Sequence, residues 1–302
     1  MTEVAMVEKE PVIWRQYLEL CKPNVVLLIV FTAVVGMLLS VEGFVPLGPL
    51  IWGSIGIGLG AASGAAVNHW VDQRIDMLME RTKKRPLPTG GLSSASAIGF
   101  ALILGVLSMI ILVTLVNTLT AILTLLSMVG YAVIYTMYLK RATPHNIVLG
   151  GAAGAAPPIL GWAAVTGSVT VEPLILFLII FVWTPPHFWA LAINRRDDYA
   201  RAGLPMLPVT HGVSFTKIQI LLYTHMLLVV SLLPFIVGMS GVVYLFGAVV
   251  LGVGFIYHAQ KLFRQKTDEH AMKTFGFSIF YLGVLFVFLL VDHYAQVFGL
   301  IA

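Results

Sequence analysis

The fold is decided by the stretch LGPLIWGSIGIGLGAASGAAVNHW, residues 47–70, which contains no Asp, Glu, Lys or Arg. The core of a bilayer is about 30 Å thick, and roughly 20 apolar residues in a helix cross it. The charged sequence VDQRIDMLMERTKKR, residues 71–85, follows immediately. We therefore predict a membrane-spanning helix whose charged end lies at the membrane surface.

Eight more apolar runs of similar length occur along the chain. Of its 302 residues 59% are hydrophobic and only 11% are charged, with a mean hydropathy of +0.94, whereas soluble domains carry about 25% charged residues. We expect an all-α integral membrane protein, a single domain over residues 1–302. The predicted spans are residues 24–41, 47–70, 93–115, 118–138, 146–165, 173–194, 216–238, 241–260 and 274–295.

The 18 Lys and Arg residues all fall in the N-terminal segment 1–22 or in the regions after the second, fourth, sixth and eighth spans. Positive loops remain in the cytoplasm, so we predict a cytoplasmic N-terminus and an external C-terminus. The N-terminal segment lacks the layout of a signal peptide, and we expect an interfacial helix at Trp14–Leu20. The absence of a presequence favours a bacterial inner membrane.

Three oxygen-bearing residues, Asn68, Asp72 and Asp76, follow one another at four-residue intervals. On a helix they share one face, and such oxygens suit Mg²⁺, which completes its shell with water and substrate phosphates. Cations of the kind that bind a diphosphate follow at Arg81, Lys83, Lys84 and Arg85. The pattern predicts a metal and diphosphate site. A solvated loop in which acids pair with anchoring cations is the alternative.

A second segment, HFWALAINRRDDYARAGLPMLPVTHG (187–212), partly repeats this pattern. Asn194 and Asp198 have the same spacing, and cations, a Leu-Pro pair and a Gly follow. The repeat predicts two related half-bundles, each with an acidic motif at its inner end. The choice between Asp197 and Asp198 stays open.

A third segment, LKRATPHNIVLGGAAGAAPPILGW (139–162), places Lys140 and Arg141 at a span boundary and Asn146 just inside the next helix. These residues are candidates for substrate binding. Membrane anchoring by the two cations and punctuation of the helix by Pro144 are equally good interpretations.

The first motif with the following RTKKRPLP (81–88) resembles the UbiA-type superfamily of intramembrane prenyltransferases. Within it, three longer segments resemble the protohaem IX farnesyltransferase (haem O synthase) family: TPHNIVLGGAAGAAPPILGWAAVTG (143–167), TPPHFWALAI (184–193) and DDYARAGLPMLP (197–208). The likeness covers about residues 15–295.

The resemblance implies a bundle around a central cavity open to the cytoplasmic face. It implies Mg²⁺ as cofactor and farnesyl diphosphate and protohaem IX as substrates. Haem O would be the product, passed to a haem A synthase for terminal oxidase biogenesis. No nucleic-acid partner is implied.

The resemblance also implies roles for individual residues. Asn68, Asp72 and Asp76 would hold one Mg²⁺, with Asp198 near a second. Many relatives have Asp where Asn194 stands, so we expect either a weaker second metal site or only one tightly bound Mg²⁺. The candidate catalytic residues are Asp72, Asp76, Asp198, Arg81 and Arg85, and the candidate substrate-binding residues are Asn68, Lys84, Lys140, Arg141, Asn146, His187, Asn194, Asp197 and Tyr199.

His187 lies inside the predicted sixth span, where an ionisable side chain is costly. We expect it to contact the haem substrate, and a hydrogen-bonded packing histidine is the alternative. For His69, beside Asn68, packing is the preferred interpretation.

Three other functions remain open. A prenyltransferase for an aromatic acid or quinone precursor fits the acidic motifs equally well. A transporter predicts ionisable residues at mid-membrane depth in several spans, whereas most acids here lie at inner helix ends. A structural subunit gives no reason for acidic motifs flanked by cations.

Overall fold

The computed structural model describes residues 12–265 and 267–301. The first eleven residues of the predicted cytoplasmic segment, including Lys9, and Lys266 lie outside the described residues. The helices are α1 Ile13–Leu20, α2 Pro23–Leu39, α3 Leu47–Asp76, α4 Ser94–Leu115, α5 Thr118–Ala142, α6 Asn146–Thr166, α7 Val171–Asn194, α8 Arg196–Arg201, α9 Leu207–Thr210, α10 Gly212–Ile236, α11 Val242–Arg264 and α12 His270–Val297. Over the described ranges there is no β-strand.

Within the described ranges, eight helices, α3 to α7 and α10 to α12, are long and apolar enough to cross a membrane. α2 has 17 residues and meets α1 at a bend of 47°, and counting this pair gives nine spans. The predicted all-α fold with about nine spans is confirmed. The largest difference concerns α3, which continues to Asp76 rather than ending at residue 70.

The N-terminal helix is found almost where the sequence predicts it, beginning at Ile13 instead of Trp14. Leu20 is fully buried and packs with Ala66 of α3 and with Ala97 and Ala101 of α4. Trp14 on the same helix is exposed. One face of α1 therefore holds it against the bundle.

The bundle closes through contacts of α2 with α3, α6 and α12, while α7 packs against α6, α10 and α12. At the crossing of α2 and α6 the two backbones touch. A Cβ atom on Gly161 would lie 1.9 Å from the Ala33 carbonyl oxygen, and one on Gly36 would lie 2.3 Å from that of Pro158. Glycine is required at both positions, which explains part of the small-residue pattern.

The C-terminal half of α5 departs from α-helical geometry. Residues Gly130–Leu139 form a π-helix, a rare form that occurs frequently at functional sites. This segment carries Tyr131, Tyr135 and Thr136 towards the inner end, where the charged motifs lie.

At the end of the bundle opposite the charged motifs, one acid among the described residues is fully buried, Asp292 on α12. Its carboxylate accepts hydrogen bonds from the backbone N–H groups of Gly241 at 2.5 Å and Tyr244 at 3.1 Å, and from Gln296 Nε2 at 2.9 Å. A carboxylate at the start of a helix satisfies free N–H groups and the positive end of the helix dipole. Asp292 thus caps α11.

Candidate active site

The acidic strip, which we define as Asn68, Asp72 and Asp76, lies on the last turns of α3. All three side chains are buried, with 2 to 4% exposure. Asn68 Nδ2 donates to Asp72 Oδ2 at 2.8 Å and to Thr136 Oγ1 of the π-helix at 3.3 Å. The four-residue spacing therefore places the three groups on one buried face.

Three cations from different parts of the chain contact the acidic strip. Lys140 Nζ lies 2.5 Å from Asp72 Oδ2, and Arg85 Nη1 lies 2.7 Å from Asp76 Oδ2. The Lys22 ammonium donates a hydrogen bond to Asn68 Oδ1. Three basic side chains therefore face two carboxylates and supply several N–H donors for the oxygens of a polyanion.

Lys22 was not predicted as a site residue. Its φ of 50° is the only positive φ at a non-glycine residue in the described chain, and such a conformation costs of order 1–3 kcal/mol. Burial, reinforced by the charges of Arg85 and Lys140, lowers the pKa of Lys22 to about 7. The one indication in the sequence was that Pro23 follows Lys22. A residue that precedes proline is disfavoured in the right-handed helical conformation, so an unusual backbone at Lys22 could have been expected.

Two buried oxygens in this region have no hydrogen-bond partner among the described residues, namely Asp72 Oδ1 and Asn146 Oδ1. Asn146 is fully buried, and its Nδ2 donates to the Lys140 carbonyl at 3.0 Å. Buried acceptors without a donor are costly. A bound cation or a water molecule would satisfy them.

The second motif differs in local structure from the first. α7 ends at Asn194, Arg195 adopts φ −106° and ψ 17°, and α8 begins at Arg196. The repeated spacing thus does not place Asn194 and Asp198 on one continuous helix. Asn194 and Asp197 are exposed, whereas Asp198 is buried and accepts a hydrogen bond from Arg201.

Apolar packing connects the two motif regions at the inner end. Met79, in the loop after α3, packs in one cluster with Trp189 of α7 and with Leu204 and Met206 after α8. Burial raises the pKa of Tyr199, and the charge of Arg81 partly opposes this shift. Arg81 of the first motif therefore lies close enough to Tyr199 of the second to influence its pKa.

Several predicted residues lie outside the cluster of buried charges. Arg81 and Lys84 are exposed and form no ion pair with any described residue, so both are accessible to a diphosphate. Arg141 is also exposed, but it lines a groove with Trp70 and Arg74 and contacts none of the acidic-strip groups.

His187 is buried in α7, separated from the acidic strip in sequence and contacts. Its ring lies between Trp183 and Phe275, with centroid distances of 4.2 and 4.5 Å, and Nδ1 hydrogen-bonds Ser278 Oγ at 2.6 Å. The packing role is thus observed. Contact with haem would have to use Nε2.

His69 is also buried, and neither ring nitrogen has a hydrogen-bond partner among the described residues. It is three residues before Asp72 and seven before Asp76, so it lies within about 60° of both around the helix axis. Sequence reasoning compared His69 with Asn68 alone and missed this proximity.

No set of three His, Cys, Asp or Glu side chains converges on a metal position within residues 12–265 and 267–301. Mg²⁺ needs only one or two protein carboxylates when substrate phosphates and water complete its shell. Asp72, with one unpartnered oxygen beside the Asn68 amide, fits that requirement.

Known proteins resemble this chain over nearly its whole length. Residues 29–289 match the UbiA prenyltransferase family. The chain is 64% identical over 283 residues to a protein named protoheme IX farnesyltransferase from Thioalkalivibrio sulfidiphilus, covering 94% of each. It is 60% identical to one from Nitrosococcus oceani, covering 99% of this chain and all of that protein.

Solved structures share the fold at low sequence identity. A digeranylgeranylglyceryl phosphate synthase superposes with a TM-score of 0.78 at 20% identity, covering 93% of this chain and 98% of that one. A UbiA homologue from Archaeoglobus fulgidus bound to GPP and Mg²⁺ superposes with a TM-score of 0.62 at 16% identity, covering 91% and 99%.

Proposed function

This chain belongs to the protohaem IX farnesyltransferases of the UbiA prenyltransferase family, and from that membership we propose that it transfers a farnesyl group from farnesyl diphosphate to a vinyl group of protohaem IX. It is a prenyltransferase and a multi-pass membrane protein. The proposal concerns its substrates, metal and mechanism.

The observation that carries the proposal is the acidic strip with its cations. Two buried carboxylates and an amide lie in contact with Lys22, Arg85 and Lys140, and Arg81 and Lys84 are exposed nearby in sequence. Diphosphate leaves an allylic carbon readily only when its developing charge is neutralised. A site with buried oxygen ligands and surplus positive charge meets that requirement.

Asn68, Asp72 and Asp76 would hold Mg²⁺, and Asp198 would lie near a second ion. When bound, Mg²⁺ would neutralise diphosphate oxygens and so assist departure of the leaving group. The fold relative from Archaeoglobus fulgidus is bound to GPP and Mg²⁺, which supports a divalent ion here. Lys22, Lys140 and Arg85 would then turn from the carboxylates towards the phosphate oxygens.

In the proposed reaction the bond between the allylic carbon and the diphosphate oxygen breaks, and its electron pair leaves with the diphosphate. The vinyl π electrons form a new carbon–carbon bond to the allylic carbon. Water bonds to the resulting cation beside the porphyrin and loses one proton, which gives the hydroxyl group of haem O. Apolar helices around the farnesyl chain would exclude water before this step.

His187 is proposed to contact the haem, and its fixed orientation supports this role. Ser278 hydrogen-bonds Nδ1, and Trp183 and Phe275 flank the ring. A partner on one imidazole nitrogen orients the other towards a ligand. We place the enzyme in a bacterial inner membrane with the N-terminus in the cytoplasm, where it would supply a haem A synthase.

The test is a turnover assay on purified protein with farnesyl diphosphate, protohaem IX and Mg²⁺, read by chromatography and mass spectrometry of the haems. Asp72→Asn removes the central carboxylate at nearly constant shape and is expected to lower the rate by about 10²–10³-fold. Glu269→Gln, an exposed acid at the start of α12, is the matched control and should retain activity.

Farnesylated haem that disappears with Asp72→Asn and with a chelator would support the whole proposal. Transfer of the farnesyl group to an added aromatic acceptor, with release of diphosphate and without any haem product, would replace the haem substrate by an aromatic one. Full activity of Asp72→Asn would refute the role of the acidic strip.

A further inference from the structure

A second polar feature lies at the inner end of α3 and is not used by the proposed reaction. It is a groove of about 390 Å³ between α3 and α5, lined by Trp70, Val71, Gln73 and Arg74 and by Met137 and Arg141. We refer to it as the interface groove.

The interface groove lies on the opposite side of α3 from the acidic strip. Arg74 follows Asp72 by two residues, which is a rotation of about 200° around a helix. Accordingly Asp72 is buried and Arg74 is exposed. On α5, Lys140 contacts Asp72 whereas the next residue, Arg141, is exposed. The body of α3 therefore separates the groove from the acidic strip.

The groove offers hydrogen-bond donors and positive charge without a counterion. Within the described ranges, neither Arg74 nor Arg141 forms an ion pair or a side-chain hydrogen bond. Gln73 Oε1 accepts a hydrogen bond from Ser94 Oγ at 2.9 Å, which leaves the Gln73 amide N–H groups as donors. Two guanidinium groups and an amide match a phosphate.

Exposed apolar side chains accompany the groove lining along α5. Ile134, three residues before Met137, and Tyr138, the residue after it, are more than half exposed. In a membrane-spanning bundle such side chains contact acyl chains. Tyr138 and Trp70 are amphipathic residues of the type found at the headgroup level. A lipid whose anionic headgroup occupied the groove would thus have its acyl chains beside these apolar side chains.

We propose that the interface groove binds the phosphate headgroup of an anionic phospholipid. Basic pockets between membrane helices bind such headgroups, and each Lys or Arg side chain adds to the free energy of binding. The open, lipid-facing position favours a lipid over the propionates of the haem substrate, because α3 separates the groove from the acidic strip where transfer is proposed.

The test compares lipid retention by native mass spectrometry after reconstitution with equal parts of phosphatidylglycerol and phosphatidylcholine and extraction into detergent. The unaltered protein should retain phosphatidylglycerol preferentially. The double variant Arg74→Gln and Arg141→Gln should lower that preference by on the order of tenfold. The matched control, Arg264→Gln with Lys273→Gln, removes two exposed charges elsewhere and should keep it.

Thermal melting and haem titration of both double variants accompany the assay. Equal loss of phosphatidylglycerol in both double variants, or no loss in either, would overturn the proposal. Displacement of the lipid by inorganic phosphate alone would identify a site for soluble anions instead. Loss of haem binding with unchanged lipid retention would assign the groove to the haem propionates and overturn the lipid proposal.

Discussion

Lys22 and Lys140 direct ammonium groups at the acidic strip from the start of α2 and the end of α5. A buried carboxylate without a cation costs several kcal/mol, so these lysines stabilise the strip when no metal is bound. The same groups are placed to bind phosphate oxygens once a metal replaces them. We infer that each lysine has two alternative partners.

Replacement of Lys22 by Met should therefore weaken farnesyl diphosphate binding. A hydrogen bond to a charged group contributes about 1.5–3 kcal/mol, which corresponds to a rise in KM of roughly 10- to 100-fold. Lys273→Met is the matched control, because Lys273 is exposed on α12 and lies outside the proposed diphosphate site. An unchanged KM for Lys22→Met would limit the role of Lys22 to stabilising the acidic strip when no metal is bound.

Burial separates the two adjacent acids of the second motif. The side chain of Asp198 is 10% exposed, whereas that of Asp197 is 88% exposed. Asp198→Asn should lower the turnover rate by at least tenfold, and Asp197→Asn should change it by less than about twofold. The opposite order in the haem assay would assign the role to Asp197.

The contact between α2 and α6 fixes the relative position of these two helices. Gly161 and Ala33 meet backbone to backbone, so no side-chain movement can create room. The same two helices also meet through Gly36 and Pro158. This contact holds α2, which begins directly after Lys22, at a defined position in the bundle.

The variant Gly161→Ala should separate α2 from α6 and lower stability by about 1–3 kcal/mol, as overpacking does. Gly154→Ala on the same helix is the matched control, since nothing lies within 4 Å of a Cβ at that position. Thermal melting in detergent measures both. Equal melting temperatures for the two variants would contradict the close contact.

The orientation of the whole bundle in the membrane is predicted by the distribution of its basic residues. All described Lys and Arg residues lie near or beyond the helix ends that the sequence assigns to the cytoplasm, and Lys217 is the sixth residue of α10. The segregation of charge predicts the orientation, and labelling in intact cells can test it.

The single Cys21 makes that test simple, because Cys21→Ser gives a background without cysteine. Ser168→Cys lies between α6 and α7, on the predicted outer side, and Thr267→Cys lies between α11 and α12, on the inner side. A membrane-impermeant maleimide should label Ser168→Cys in intact cells and Thr267→Cys only after permeabilisation. The reverse pattern would invert the proposed orientation.

The number and approximate limits of the spans follow from the amino-acid sequence alone, because apolar runs and charged loops reflect the free energy of transfer of each residue between water and lipid. The sequence also determined the shared face of Asn68, Asp72 and Asp76, since helical spacing is local. The family resemblance, carried by long motifs, is confirmed by relatives up to 64% identical among those compared.

Tertiary structure alone decided which residues meet across the chain. Lys22 reaches Asn68 over 46 residues of sequence, and Lys140 reaches Asp72 over 68. It also separated Asp198 from Asp197 and placed Arg141 on the far side of α3 from the acidic strip. These contacts and burial differences depend on how the helices pack and on where a helix breaks, as it does at Arg195. Helix packing and helix breaks arise from long-range contacts, which the local spacing of residues does not encode.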